Sequence, residues 1–173
     1  MDFKKQAYIL TTIQSLHANQ SGTGKTHVQK ALSLLADSGK VEVPFNFLLY
    51  KHGPYSFDIE SELEQMKSYD AVEVSPNANG YGVVLKAGQM SKYALDKAPI
   101  SSQVKEAINK VCKFIGSNPV KILERLATAS WIYHQEKIAD PIMMAERLHE
   151  LKPHIKIEDA KSASDTILAW NRE

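Results

Sequence analysis

Apolar residues recur at helical spacing along most of this chain, and short polar segments break the pattern into pieces. Phe3, Ala7, Leu10 and Ile13, followed by Leu16, predict an amphipathic helix over residues 3–18. Asn19-Gln20-Ser21-Gly22 ends it. A second helix over residues 24–38 carries Val28, Ala31, Leu32 and Leu35 on one stripe, with Ser21 or Thr23 as its N-cap. Gly39 is placed to close it, because glycine enters the left-handed conformation at little steric cost. Residues 41–55 read as extended or irregular chain interrupted by Pro44 and Gly53-Pro54. Ser56 or Asp58 then opens a third helix to about Tyr69, with Ile59, Leu63 and Met66 facing inward. Two short apolar runs, AVEV and YGVVL, flank Asn79-Gly80 and predict a β-hairpin.

Helix, helix, helix, hairpin is the order of a winged helix-turn-helix domain. Residues 86–99 read as a connector, with Gly88 and Pro99 as punctuation. A second helical set follows. Ile100, Val104, Ile108, Val111 and Ile115 mark residues 100–115. Asn118-Pro119 starts a helix to His134 and Asp140-Pro141 another to Leu151, since proline suits the first helical turn. Lys152-Pro153 ends that one, and a last helix covers 158–170. The expected fold is therefore mainly α with a small β-hairpin wing: a winged-helix module over 1–86 and a helical extension over 87–173 packed on it as one unit.

With 43% hydrophobic and 24% charged residues, the composition is that of a globular chain, not a disordered one. The single cysteine, Cys112, excludes an intramolecular disulfide and fits a reducing compartment. Met1 to Gln20 mixes Asp2, Lys4 and Lys5 with spaced apolar residues and lacks the apolar run of a signal peptide. No run approaches the roughly 18 apolar residues of a membrane span, so no membrane partner and a cytoplasmic location are expected.

Motifs with catalytic or cofactor chemistry are weak here. Ser21-Gly22-Thr23-Gly24-Lys25-Thr26 looks like the end of a phosphate-binding loop, but the pattern needs a glycine where Asn19 stands and a preceding β-strand where a helix is predicted. A helix-helix turn is the better reading. The six histidines form no i,i+4 pair with a nearby acid, and no cysteine pair exists, so no metal is expected. Cys112 lies in an apolar stripe and no serine stands in a nucleophile elbow. Trp131, Tyr133 and Trp170 read as core aromatics of the C-terminal helices. The expectation is a protein without enzymatic activity or cofactor.

Charge is more informative by region than in total, where it is only +1. Residues 1–40 hold five lysines and two aspartates. Residues 56–75 hold Asp58, Glu60, Glu62, Glu64, Asp70 and Glu73 against Lys67 alone. Residues 86–121 hold seven lysines and two acids. In a DNA-reading winged helix the third helix enters the major groove, and binding draws on neutralised phosphates. An acidic third helix opposes that approach and suits a basic partner instead, with Glu60, Glu62, Glu64 and Lys67 as the contact residues.

GKTHVQKALSLL followed by FLLYKHGPYSFDIESELEQM resembles the YwgA-like winged-helix family, and looks similar to the C-terminal domain of the DarG antitoxins and, more distantly, to Panacea and SocA-type antitoxin domains. LERLATASWIYHQ and AERLHELKPHIKIEDAKSASDTILAW resemble the helical extension behind the wing in those proteins, with Ile157 a departure from the small capping residue of relatives. The resemblance places the family signature on Lys25, Gln29, Lys30, His52, Gly53, Pro54 and Tyr55. It implies a winged-helix core, no catalytic machinery, and an antitoxin-like or defence-associated protein-interaction role. The implied partner is a basic, nucleic-acid-acting toxin, and a homodimer is compatible with it. The alternative reading is a winged-helix DNA-binding transcription regulator using the second helix, the wing and the lysines of 86–121.

Overall fold

The first two expected helices form as α1 (Phe3–Ala18) and α2 (Lys25–Ser38) in the computed structural model, which describes residues 1–173. Asp2 caps α1, its carboxylate accepting from the Lys5 amide at 3.1 Å. Gly39 closes α2 in the left-handed conformation, φ 64°. The start of α2 differs from expectation. Neither Ser21 nor Thr23 caps it; the cap is Gly24, with no side-chain hydrogen bond. Thr23 is buried, and its carbonyl instead accepts from the Leu85 amide at 2.9 Å.

Residues 41–55 depart further from the expected irregular chain. Here β1 (Leu48–Tyr50) and β2 (Gly53–Tyr55) form an antiparallel hairpin, with Leu48 opposite Tyr55 and Tyr50 opposite Gly53. Pro54 is compatible with this two-stranded ribbon, which has no third strand to demand its missing amide. Helix α3 (Phe57–Ser68) follows at once, and then β3 (Val72–Pro76) and β4 (Val83–Ala87) pair as the expected second hairpin.

The stretch expected as a connector contains a short helix, α4 (Ser91–Lys97), which packs on α1. Helices α5 (Ser102–Ile115), α6 (Val120–Gln135), α7 (Pro141–Leu151) and α8 (Ile157–Asn171) complete the chain. Asp140 caps α7 through bonds from the amides of Ile142 and Met143, with Pro141 in the first turn. Helix α8 begins after Lys156 without a side-chain cap.

The chain is thus mainly helical with two small antiparallel strand pairs. One hydrophobic cluster of 33 buried residues runs through it, from Leu10 and Leu35 through Ile59 and Met66 to Leu123, Leu148 and Ile167. Helix α6 is central to this core. It packs against α2, α7, α8 and strand β2, so the first hairpin sits on the C-terminal helices as well as on α2. No helix is long and apolar enough to cross a membrane.

Candidate binding surface at the first hairpin

The residues of the expected signature converge on one place. Lys25, Gln29 and Lys30 lie on the same side of α2 and reach across to α3 and the first hairpin. Gln29 makes a two-point clamp on Ser56: its amide nitrogen donates to the Ser56 carbonyl at 2.9 Å, and its oxygen accepts from the Ser56 amide at 2.9 Å. The Lys30 ammonium donates to the Pro54 carbonyl at 2.8 Å. From the other side Lys152, at the end of α7, donates to the carbonyls of Tyr50 and Lys51, each at 2.5 Å. Two largely buried lysines therefore hold the carbonyls of one hairpin. Burial pushes the Lys30 ammonium down to about 8, against the opposing pull of Glu124. It lowers Lys152 in the same direction.

Gly53 is required twice over at the turn. Lys51 and His52 keep negative φ while Gly53 takes φ 93°, a left-handed value that side chains avoid. A Cβ there would also lie 2.7 Å from the Thr128 hydroxyl of α6.

The acidic helix is where expectation and structure part. Glu62 does not face a partner. It is 7% exposed, and its carboxylate accepts from the Gln6 amide at 2.8 Å, while the Tyr69 hydroxyl bonds the other end of that same glutamine. Glu60 and Glu64 are both held by Lys25, at 2.5 and 3.3 Å. This contact with Glu60 raises the Lys25 pKa. Asp58 pairs with Lys5 at 3.1 Å. The lysines of α1 and α2 thus answer the carboxylates of α3 within the chain. The outward residues of α3 are Phe57, Ser61, Glu64, Lys67 and Ser68, a sparsely charged strip rather than an acidic face.

Aromatic residues occupy the surface that the acids were expected to provide. Tyr50 and Phe57 are 44% and 55% exposed, and half-buried Tyr55 joins them. Their ring centroids lie 5.0–5.6 Å apart with two edge-on contacts and one tilted one. Leu48, also exposed, extends the patch along β1. Of the aromatics expected in the core of the C-terminal helices, Trp170 stacks on Phe114 at 4.3 Å and packs on the core, as does Tyr133. The signal that could have found the patch is the run FNFLLY before the turn and PYSF after it.

Behind the patch is a cavity of about 190 Å³ between α2, the hairpin and α3, walled by Lys25, Lys30, His52 and Tyr55 among others. Glu124 of α6 lies beneath the turn, 3.2 Å from His154 Nε2 and 3.9 Å from His52 Nδ1.

The loop Ser21–Thr26 lines a separate, larger cavity of about 640 Å³ with the tip of the second hairpin. It follows α1 rather than a strand, and Lys25 is turned onto α3, so it lacks the architecture of a phosphate-binding loop. Cys112 is buried and its thiol is pushed up to about 11 by burial, which keeps it from nucleophilic chemistry. The seven lysines of 86–121 are all exposed, and none forms an ion pair. No protein-family model and no curated protein sequence matches the chain.

Proposed function

We propose that this chain is a non-catalytic protein-binding module whose α1–α3 and β3–β4 hairpin make a winged-helix core, and that its partner docks on the aromatic patch of the first hairpin. The observation that carries this reading is the exposed cluster of Leu48, Tyr50, Tyr55 and Phe57. Large aromatic side chains left in water at one place are the residues that dominate binding energy at protein interfaces. The hairpin that presents them is held on its inner side by Lys30 and Lys152, so the surface is prearranged and costs little ordering on contact. The resemblance to the YwgA-like family supports an antitoxin-like or defence-associated role for such binding. A basic, toxin-like partner would find Glu64 at the edge of the patch, but not the row of free carboxylates that the sequence suggested.

Affinity purification from the native host tests this. Wild-type protein should retain a partner that the Tyr50→Ala/Phe57→Ala double variant loses by at least tenfold. Both side chains are exposed, so circular dichroism and the thermal midpoint should stay close to wild type. Undiminished capture by the double variant would remove the patch from the reading.

A second reading, DNA binding by the extension, is favoured by one observation: the unpaired lysines of 86–121. Lys110 also lies close enough to Lys40 to depress its pKa, as expected where two ammonium groups share a surface without an acid between them. Retardation of DNA fragments that weakens steeply with salt would support it.

A further inference from the structure

We propose that the cavity between α2 and the first hairpin is a carboxylate-binding site, which takes an aspartate, glutamate or chain-end carboxylate of the protein partner. The peptide source of that carboxylate rests on the protein-binding reading above; the site itself does not. Three observations carry it: an undercompensated buried ammonium, a local excess of positive charge, and a cavity of matching size.

The ammonium is that of Lys30. The residue is 2% exposed, yet its ammonium has three protons and a single acceptor, the Pro54 carbonyl. No carboxylate lies within the 4.0 Å of an ion pair. Lysine is almost never so buried without a counter-charge, because leaving water costs an ammonium several kcal/mol. Glu124 acts on it only from farther away and is itself engaged by His154.

The charges in and around this space come from five elements. Lys30 and Lys25 stand on α2, Lys51 and His52 on the turn, Glu60 on α3 and Glu124 on α6, with Lys152 arriving from α7. Lys25 and Glu60 cancel as a close pair. Lys30, Lys51 and Lys152 then stand against Glu124 alone. An anionic group reduces that excess, and a carboxylate is the anionic group that a protein partner itself carries.

The volume of about 190 Å³ suits a carboxylate-bearing side chain, being smaller than the roughly 300–1,000 Å³ of pockets for whole small molecules. Gly53 lies in the cavity wall close to the ammonium. A Cβ there would stand 3.6 Å from Lys30 Nζ. Tyr50 and Tyr55 line both this cavity and the docking patch, so a peptide lying on the rings can send one acidic side chain inward.

Titration of the full-length, ¹⁵N-labelled chain at pH 7 tests the site without any partner. The probes are a capped aspartate (N-acetyl, C-amide), acetate, inorganic phosphate and sodium chloride. Capped aspartate should shift the Gly53 and Tyr55 amides saturably, with half-saturation at or below about 10 mM, the range of one charge-assisted contact with little else. Acetate should be weaker, phosphate weaker again, and chloride should give only linear drift. The saturable shift should disappear in Lys30→Met and, in wild type, at pH 9.5. The pH arm decides the matter should Lys30→Met fail to fold. Non-saturating shifts that match chloride, a wild-type response unchanged at pH 9.5, or tighter binding of phosphate would each overturn the assignment. Saturable aspartate binding together with partner capture that survives loss of Tyr50 and Phe57 would keep the site and remove the docking patch.

Discussion

The two hairpins of this chain are alike in topology and opposite in how they are held. The β3–β4 hairpin reaches outward, with its tip exposed from Ala78 to Gly82, while its base is held by Val72 and Leu85 in the hydrophobic core and by a backbone bond from Leu85 to Thr23. The β1–β2 hairpin is enclosed on its inner side, where Gln29, Lys30 and Lys152 bond Ser56 and the carbonyls of Pro54, Tyr50 and Lys51. The turn of β3–β4 has a local cause in Asn79-Gly80. The β1–β2 hairpin depends on side chains from two helices, one of them about a hundred residues away. A hairpin fixed from behind can present aromatic residues outward at constant geometry, which an exposed hairpin tip cannot do.

The sharpest way to break this contrast is at the turns. Gly53→Ala meets both a left-handed φ and the Thr128 hydroxyl, so it should lower unfolding stability by about 3 kcal/mol, combining the conformational cost with overpacking. Gly80→Ala has φ 81° but open space around its Cβ, and should cost only about 1 kcal/mol. Urea midpoints of the two variants measure the difference. Equal losses would mean that β1–β2 is no better anchored at its turn than β3–β4.

Gln29→Leu comes next. It strips the partners from the Ser56 amide and carbonyl, and Ser56 is fully buried. Stranding these groups should cost about 2 kcal/mol or more, read in the same urea series. Hydrogen exchange of the Tyr55 and Ser56 amides should speed up while the Leu85 amide is unaffected, because the two hairpins are anchored separately. Faster exchange at both would show that they open together.

The third effect is in the pH profile. Lys30 has its pKa lowered to about 8 in the folded chain, so between there and the ordinary lysine value of 10.5 the unfolded chain binds more protons. Stability should therefore rise as pH climbs through that window, with the cost of the buried charge fully present below it. Lys152 adds in the same direction. Buried Tyr8 and half-buried Tyr69, raised by desolvation, oppose it only above their usual value of 10. Lys30→Met should flatten the rise between pH 8 and 10 in chemical denaturation; a slope equal to wild type would place the titration elsewhere.

What could be read from the sequence divides along the same line. Helices α1, α2, α3 and α5–α7 announce themselves by apolar periodicity and by Gly39, Asp140 and Pro141 at their ends. The β3–β4 hairpin shows because Asn79-Gly80 is a turn with a local cause. The first hairpin did not show, since Lys51-His52-Gly53 is a less conspicuous turn and the groups that hold it are distant in sequence. The burial of Glu62 is legible in its spacing: it falls three residues after Ile59 and four before Met66, inside the apolar stripe rather than outside it. The charge map was accurate as arithmetic. Its regions are not separate surfaces, because the lysines at 5 and 25 and the acids at 58, 60 and 64 pair across the fold.

Lys25→Met gives the smallest effect on stability and the most discriminating one on binding. The pairs it removes are partly exposed, and such pairs contribute about 0–1 kcal/mol, so the thermal midpoint should barely move. The variant nevertheless frees Glu60 and Glu64 and turns α3 toward the acidic face that the sequence suggested. If a basic partner reads α3, capture should strengthen. If the partner reads the rings of Tyr50, Tyr55 and Phe57, capture should stay within about twofold of wild type, since charges at the edge of an interface chiefly alter association rate and salt dependence. Strengthened capture in Lys25→Met, together with retained capture in Tyr50→Ala/Phe57→Ala, would return the binding role to α3 and leave the aromatic patch without one.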